Sequence, residues 1–211
     1  MQYYYPTLAQ QGFVPRGAIL VDSTLYLRPY NRFFILTLLQ YLWAVTGVPY
    51  ICIAMGGARL DTGDYDRMLA YALKSSSAIE FLIVTWSGND IYRLAPGPIG
   101  SVVDAATLFA RRLGTYRCIC ILGGNAELWG YSGDPLYNER VALVATAVSP
   151  YALVCTGASD LIGIRIADAI GHIKFQSWPI IFEAYKVWRY AITRRSNLSV
   201  LGVARLILSF V

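Results

Sequence analysis

Four short stretches of this chain carry groups able to do chemistry together. Asp22-Ser23 offers a hydroxyl, and Gly56-Gly57 a backbone that a ligand can approach closely. Gly88-Asn89-Asp90 offers a side-chain amide, and Asp168 with the single histidine, His172, a carboxylate and an imidazole. A serine hydroxyl is a weak nucleophile until a base removes its proton, and imidazole is the usual base near neutral pH. Amide donors aimed at a carbonyl oxygen stabilise the oxyanion of acyl transfer. Taken singly, each stretch has a plainer reading. Asp and Ser cap helices, Gly, Asn and Asp fill turns, and a lone histidine often serves structure. Together and in this order they point to acyl-transfer chemistry, provided the fold brings them to one place.

The elements between them meet that condition. Strands are predicted at 17–21, 50–55, 79–85, 116–122 and 151–155, and helices near 30–45, 64–74, 100–113, 136–148 and 178–193. Alternation of this kind predicts an α/β fold: a parallel sheet with right-handed crossovers and helices on both faces. Ser23, Gly57 and Asn89 then each follow a strand, and ligands of open α/β sheets bind outside the carboxyl ends of the strands. Local chemistry agrees. The helix near 100–113 carries apolar Ala105, Leu108, Phe109 and Leu113 and ends in Arg111-Arg112, where cations suit the helix dipole. Pro135 stands at a helix start, where its missing N–H costs little. Pro150 stands at the beginning of the fifth strand.

This order and spacing resemble the SGNH (GDSL-type) hydrolase family. Gly88-Asn89-Asp90 matches the family's third block, and Asp22-Ser23 matches the Asp-Ser of its first, with Val21 where the family usually has glycine. Asp168-Ala169-Ile170-Gly171-His172 holds one residue more than the family's Asp-x-x-His. In a helical turn, i,i+3 and i,i+4 side chains both meet on one face, so the pair can still couple. The resemblance covers roughly residues 17 to 193. It implies a three-layer α/β/α, flavodoxin-like five-stranded parallel sheet and a serine esterase that needs no cofactor or metal. By the same resemblance Ser23 is the nucleophile, His172 the base and Asp168 the residue that orients it, with Asp160 in reserve. The oxyanion hole comprises the Ser23 and Gly57 backbone N–H groups and the Asn89 amide, with Gly56 the alternative to Gly57. Glycine is expected at 57 because a side chain there would obstruct the backbone's approach to the substrate. The loops at 92–99 and 124–135 carry Tyr92, Trp129 and Tyr131 as candidate substrate contacts.

Composition narrows the alternatives. The chain has 211 residues, 15% charged, a net charge of +5 from 15 Arg and 3 Lys against 13 acids, and a mean hydropathy of +0.45. That suits one domain with a substantial core. The basic residues form no run longer than Arg111-Arg112 and Arg194-Arg195, whereas a nucleic-acid binder needs a concentrated stripe. Cys52, Cys118, Cys120 and Cys155 all fall inside predicted strands, where free cysteine acts as a small apolar filler. Phe33 to Ala58 is uncharged over 26 residues, longer than the roughly 20 that span a bilayer, but Gly47-Val48-Pro49 divides it into a helix and a strand. Met1 to Phe13 lacks the basic end and apolar run of a secretory leader, which favours an intracellular protein. The apolar tail, Leu198 to Val211, contains Arg205 and reads as a docked or surface-lying helix able to touch a membrane.

The sequence therefore divides into an N-terminal extension (1–16), a hydrolase-like domain (17–193) and an apolar tail (194–211). The expected substrate is a small-molecule, lipid or carbohydrate ester. The rival readings are a catalytically silent relative that binds ligands in the same cleft, and a membrane-anchored protein.

Overall fold

A computed structural model describes residues 2–5, 12–22, 36, 39–40, 42–44, 46–86, 89–90, 99–122, 135–156 and 186. Ser23, Tyr92, Trp129, Tyr131, Asp160, Asp168, His172 and the tail from 194 to 211 lie outside the described residues, as does the predicted helix at 178–193 apart from Lys186.

The fold is α/β. Its sheet is built from β1 (Gln2–Tyr5), β2 (Gly17–Val21), β3 (Tyr50–Met55), β4 (Phe81–Trp86), β5 (Arg117–Leu122) and β6 (Leu153–Thr156). The spatial order is β1-β3-β2-β4-β5-β6. β2 to β6 are parallel, and β1 runs antiparallel along β3, with Gln2 opposite Met55 and Tyr5 opposite Cys52. Among the described residues the sheet thus has six strands where the sequence predicts five, and the additional one lies in the stretch read as an N-terminal extension. The third and fifth predicted strands also shift towards the C-terminus, to Phe81–Trp86 and Leu153–Thr156.

Burial explains why the central strands read so clearly. All five residues of β2, Gly-Ala-Ile-Leu-Val, are buried, as are the first five of β3. Such runs are the mark of parallel strands covered on both faces. Side chains alternate. Ala18, Leu20, Ile51, Ile53, Leu82 and Val84 face one cluster, and Ile19, Cys52 and Ile83 are buried without joining it.

That cluster is completed by α1 (Asp64–Ser75), α2 (Ile99–Leu113) and α3 (Pro135–Val148). In α1 the buried residues are Tyr65, Met68, Leu69 and Ala72, an i, i+3, i+4, i+7 stripe. Asp64 and Asp66 stand in its first turn and Lys74 in its last, each sign complementing the helix dipole. In α2 the buried stripe is Val102, Ala106, Phe109, Ala110 and Leu113. Leu108, expected in that stripe, is 60% exposed, because it lies about 100° round the helix from Phe109 and points away from the sheet. The Tyr65 and Phe109 rings, 5.9 Å apart, join α1 to α2.

The uncharged stretch from 33 to 58 breaks where glycine and proline predict. Leu39 and Leu42 are helical and fully buried. Gly47 has a φ of 68°, and its N–H donates to the Trp43 carbonyl at 2.8 Å, the left-handed stop that glycine favours. The Thr46 hydroxyl donates to the Leu42 carbonyl and accepts the Val48 N–H, which steers the chain through Pro49 into β3. Among the described residues no helix is long and apolar enough to cross a membrane.

Candidate active site

β2 and β4 are hydrogen-bonded neighbours, yet the chain leaves β2 towards β3 on one side and leaves β4 towards β5 on the other. This is a topological switch point, the place in an open α/β sheet where connections diverge and a crevice opens at the carboxyl edge. Val21 pairs with Ala54 and Thr85. The segments after β2, β3 and β4 therefore begin at the same level of that edge.

Asp22, the residue after β2, is fully buried there. After β3 the chain turns at once, with the Ala58 N–H donating to the Met55 carbonyl at 3.2 Å. Gly57 takes a φ of 77° at the third position of that turn, the sign that type II turns require there. The positive φ is itself a reason for glycine at 57. A Cβ at either Gly56 or Gly57 would meet no atom of the chain within 4 Å, so packing within the protein adds no second one.

The segment after β4 is bonded directly to this turn. Asn89 Nδ2 donates to the Ala58 carbonyl at 3.1 Å. A carbonyl only accepts, so this contact fixes which end of the amide is nitrogen and leaves a second N–H on the same atom. Next along the chain, Asp90 accepts the Leu60 N–H at 3.0 Å on Oδ1 and 3.2 Å on Oδ2. Asp90 is 1% exposed. Burial pushes its carboxyl up to about 7, with Asp61 and Asp22 adding to the rise while the Leu60 N–H and Arg59 oppose it.

The chain from 59 to 64 is held by its own polar groups. Arg59 Nε donates to Asp61 Oδ1 at 2.9 Å, and a second guanidinium nitrogen meets Asp61 Oδ2. The Arg59 N–H and the Thr62 hydroxyl both donate to Asp64 Oδ2, at 2.9 and 2.6 Å. Burial alone would raise the Asp64 carboxyl, but the bonds from Thr62, the Arg59 backbone and Arg67 together hold it below its ordinary value. Cys52 is buried beneath this edge, and desolvation pushes its thiol up to about 12, far from the thiolate that reactive cysteines need. Among the described residues no group of three or more His, Cys, Asp or Glu side chains is arranged to hold a metal ion.

Of the residues singled out from sequence, Gly56, Gly57 and Asn89 are described, and they meet at one edge beside the end of β2. Ser23, the next residue after Asp22, together with Asp168, His172, Asp160, Tyr92, Trp129 and Tyr131, falls outside the described residues. Sequence reasoning gave no part to Asp90. Its only signal was its position beside Asn89, and nothing in Gly-Asn-Asp tells that the carboxyl reaches the backbone of Leu60.

Comparison with known proteins adds to the architecture. The crystal structure of a protein named TesA superposes with a TM-score of 0.54 at 18% identity, covering 83% of this chain and 97% of that one. The psychrotrophic esterase EstA from Pseudoalteromonas sp., solved as inhibited by monoethylphosphonate, gives 0.47 at 12% identity, covering 85% of this chain and 97% of its own. No family model and no curated protein matches the sequence. At these identities the likeness to TesA shows a shared fold.

Proposed function

We propose that this chain is a serine hydrolase of the SGNH type, with that family's three-layer α/β/α fold, and that it cleaves a carboxylic ester through an acyl-serine intermediate. Ser23 Oγ attacks the acyl carbonyl while His172 takes its proton, and the same imidazole returns that proton to the leaving alcohol. Asp168 fixes the tautomer of His172 and stabilises the transient imidazolium. The oxyanion receives hydrogen bonds from the Ser23 and Gly57 backbone N–H groups and from the second N–H of Asn89. A water then attacks the acyl-enzyme with His172 as base, releasing the acid and free Ser23. The substrate is a small molecule, lipid or sugar bearing a short acyl group, approached by Tyr92, Trp129 and Tyr131.

One observation carries this reading. Asn89 is hydrogen-bonded to the residue after Gly57, 31 positions upstream, at the switch point of the sheet and beside β2, which Asp22 follows. The residues to which this reading gives the two amide donors therefore lie together where ligands of such sheets bind, which supports it. The test is hydrolysis of p-nitrophenyl acetate by the wild-type protein and by Ser23→Ala, with mass spectrometry of the wild type for an acetyl group on Ser23. Ser23-dependent turnover supports the reading, and turnover unchanged by the substitution removes Ser23 from the mechanism.

The extra residue between Asp168 and His172 favours a second reading, a silent relative that binds an ester-like ligand in the same cleft without cleaving it. In that case the wild type shows no turnover and no acyl adduct.

A further inference from the structure

Two consecutive residues, Asn89 and Asp90, grip the chain just beyond Gly57 at alternate positions. Asn89 donates to the carbonyl of Ala58, and Asp90 accepts the N–H of Leu60. On its other side the turn is fastened to β3 by the Ala58 N–H on the Met55 carbonyl. Leu60 and Asp90 are both buried, so water does not compete for the bond between them, and the Asn89–Ala58 bond beside it is part-buried. Resting on the hydrolase reading above, we propose that Asp90 is a positioning residue, whose carboxyl locks the Gly57 turn against the Asn89 segment and so holds two oxyanion donors in register.

The chemistry of the position supports this. A buried carboxyl is costly unless its hydrogen bonds compensate, and an apolar residue at 90 would avoid that cost. What a carboxyl supplies here is an acceptor facing a backbone donor on a loop 30 residues away. An oxyanion hole works only when its donors are fixed before charge develops. Gly57 is exposed and at a left-handed turn, with nothing packed over its Cα, so its position depends on the bonds at 58 and 60.

The experiment compares Asp90→Ala and Asp90→Asn with the wild type in p-nitrophenyl acetate hydrolysis, with Ser23→Ala as control and exchange of the Leu60 amide followed by NMR. Asp90→Ala is expected to lower kcat about 10- to 100-fold, the effect of a misplaced donor, with KM changed less than about twofold. Its Leu60 amide exchanges faster. Asp90→Asn keeps a carbonyl acceptor for the same N–H and restores most of kcat and the slow exchange. Should Asp90→Ala fail to fold, Asp90→Ser, whose hydroxyl stops short of Leu60, takes its place with the same expectation. A loss borne by KM, an unchanged kcat, or an Asp90→Asn protein as slow as Asp90→Ala overturns the positioning role while leaving the hydrolase standing. Wild-type turnover that does not depend on Ser23 removes the hydrolase reading, and this one with it.

Discussion

The N–H of Leu60 lies 3.0 and 3.2 Å from the two carboxyl oxygens of Asp90, which joins the segments following two strands that are not themselves neighbours in the sheet. β3 and β4 flank β2, so this contact passes over the carboxyl end of the strand that leads to Ser23. It also links a titrating group to the stability of the fold.

Asp90 is expected to make the protein less stable as pH rises through the weakly acidic range. Burial holds its carboxyl at about 7 in the folded chain, against 3.8 for the ordinary side chain. Between those values the folded state keeps a proton that the unfolded state has released. Stability then falls as pH rises, by on the order of 4 kcal/mol at most once both values are passed. Asp90→Asn has no such proton. Urea denaturation at about pH 4.5 and about pH 8 should show the variant gaining on the wild type at the higher pH, other groups cancelling in the difference. A gap that stays flat across this range would mean the carboxyl is ionised throughout. Asp64 acts in the opposite window: its lowered value means stability that is present above the ordinary carboxylate range and lost on acidification below it.

The two glycines of the turn after β3 should behave differently. Gly57 sits at φ 77°, where an L side chain costs roughly 1–2 kcal/mol, and Gly56 has no positive φ. Neither would clash. Gly57→Ala should lose about that much stability in denaturant, and its turnover should fall as its N–H is pulled out of line. Gly56→Ala should change stability by only a few tenths of a kcal/mol. The reverse ranking would assign the donor N–H to Gly56.

The contrast between β2 and β1 shows what the sequence made legible. Gly17–Val21 and Tyr50–Met55 were found at their observed bounds, because strands buried on both faces advertise themselves as unbroken apolar runs. Gln2–Tyr5 carries no such mark, and it becomes a strand only by pairing with β3, some fifty residues away. Leu108 was misjudged because an apolar residue one step off a helical stripe looks the same as one within it. At Gly57 the sequence shows the residue type but not the left-handed backbone that also calls for glycine, since φ cannot be read from a single sequence. Asn89 was legible through its place after a strand. Asp90 was not, because its partner is a backbone N–H, and every residue except proline supplies one.

Gly17 tests the packing that supports the site from below. It pairs with Tyr50 and Phe81 across β3, β2 and β4, and a Cβ built on it would lie 2.3 Å from two carbons of the Tyr50 ring. That ring is fully buried and meets Phe81 edge-on at 6.0 Å, so it has little room to yield. Gly17→Ala should cost about 1–3 kcal/mol by overpacking. Combined with Tyr50→Leu, which removes the ring, it should cost less than the sum of the two single changes. Additivity in a double-mutant cycle would show that the sheet gives way and the ring does not.

Asn89 is expected to separate two roles that reside in one side chain. Its Nδ2 donates to the Ala58 carbonyl and carries the N–H proposed for the oxyanion. Asn89→Ala removes both and should lower kcat by about 10²–10³ on p-nitrophenyl acetate. Asn89→Asp keeps the shape but turns a carboxylate oxygen towards the Ala58 carbonyl, beside buried Asp90 and Asp22. Like charges and two facing acceptors then oppose the native turn, so Asn89→Asp should be the less stable of the two variants, most clearly above about pH 7, where Asp90 is ionised. Thermal melting at acidic and alkaline pH reads the difference directly. If Asn89→Asp instead melts higher than Asn89→Ala at alkaline pH, the amide is not held by Ala58 in solution, and the link between the Gly57 turn and the segment after β4 must come from Asp90 alone.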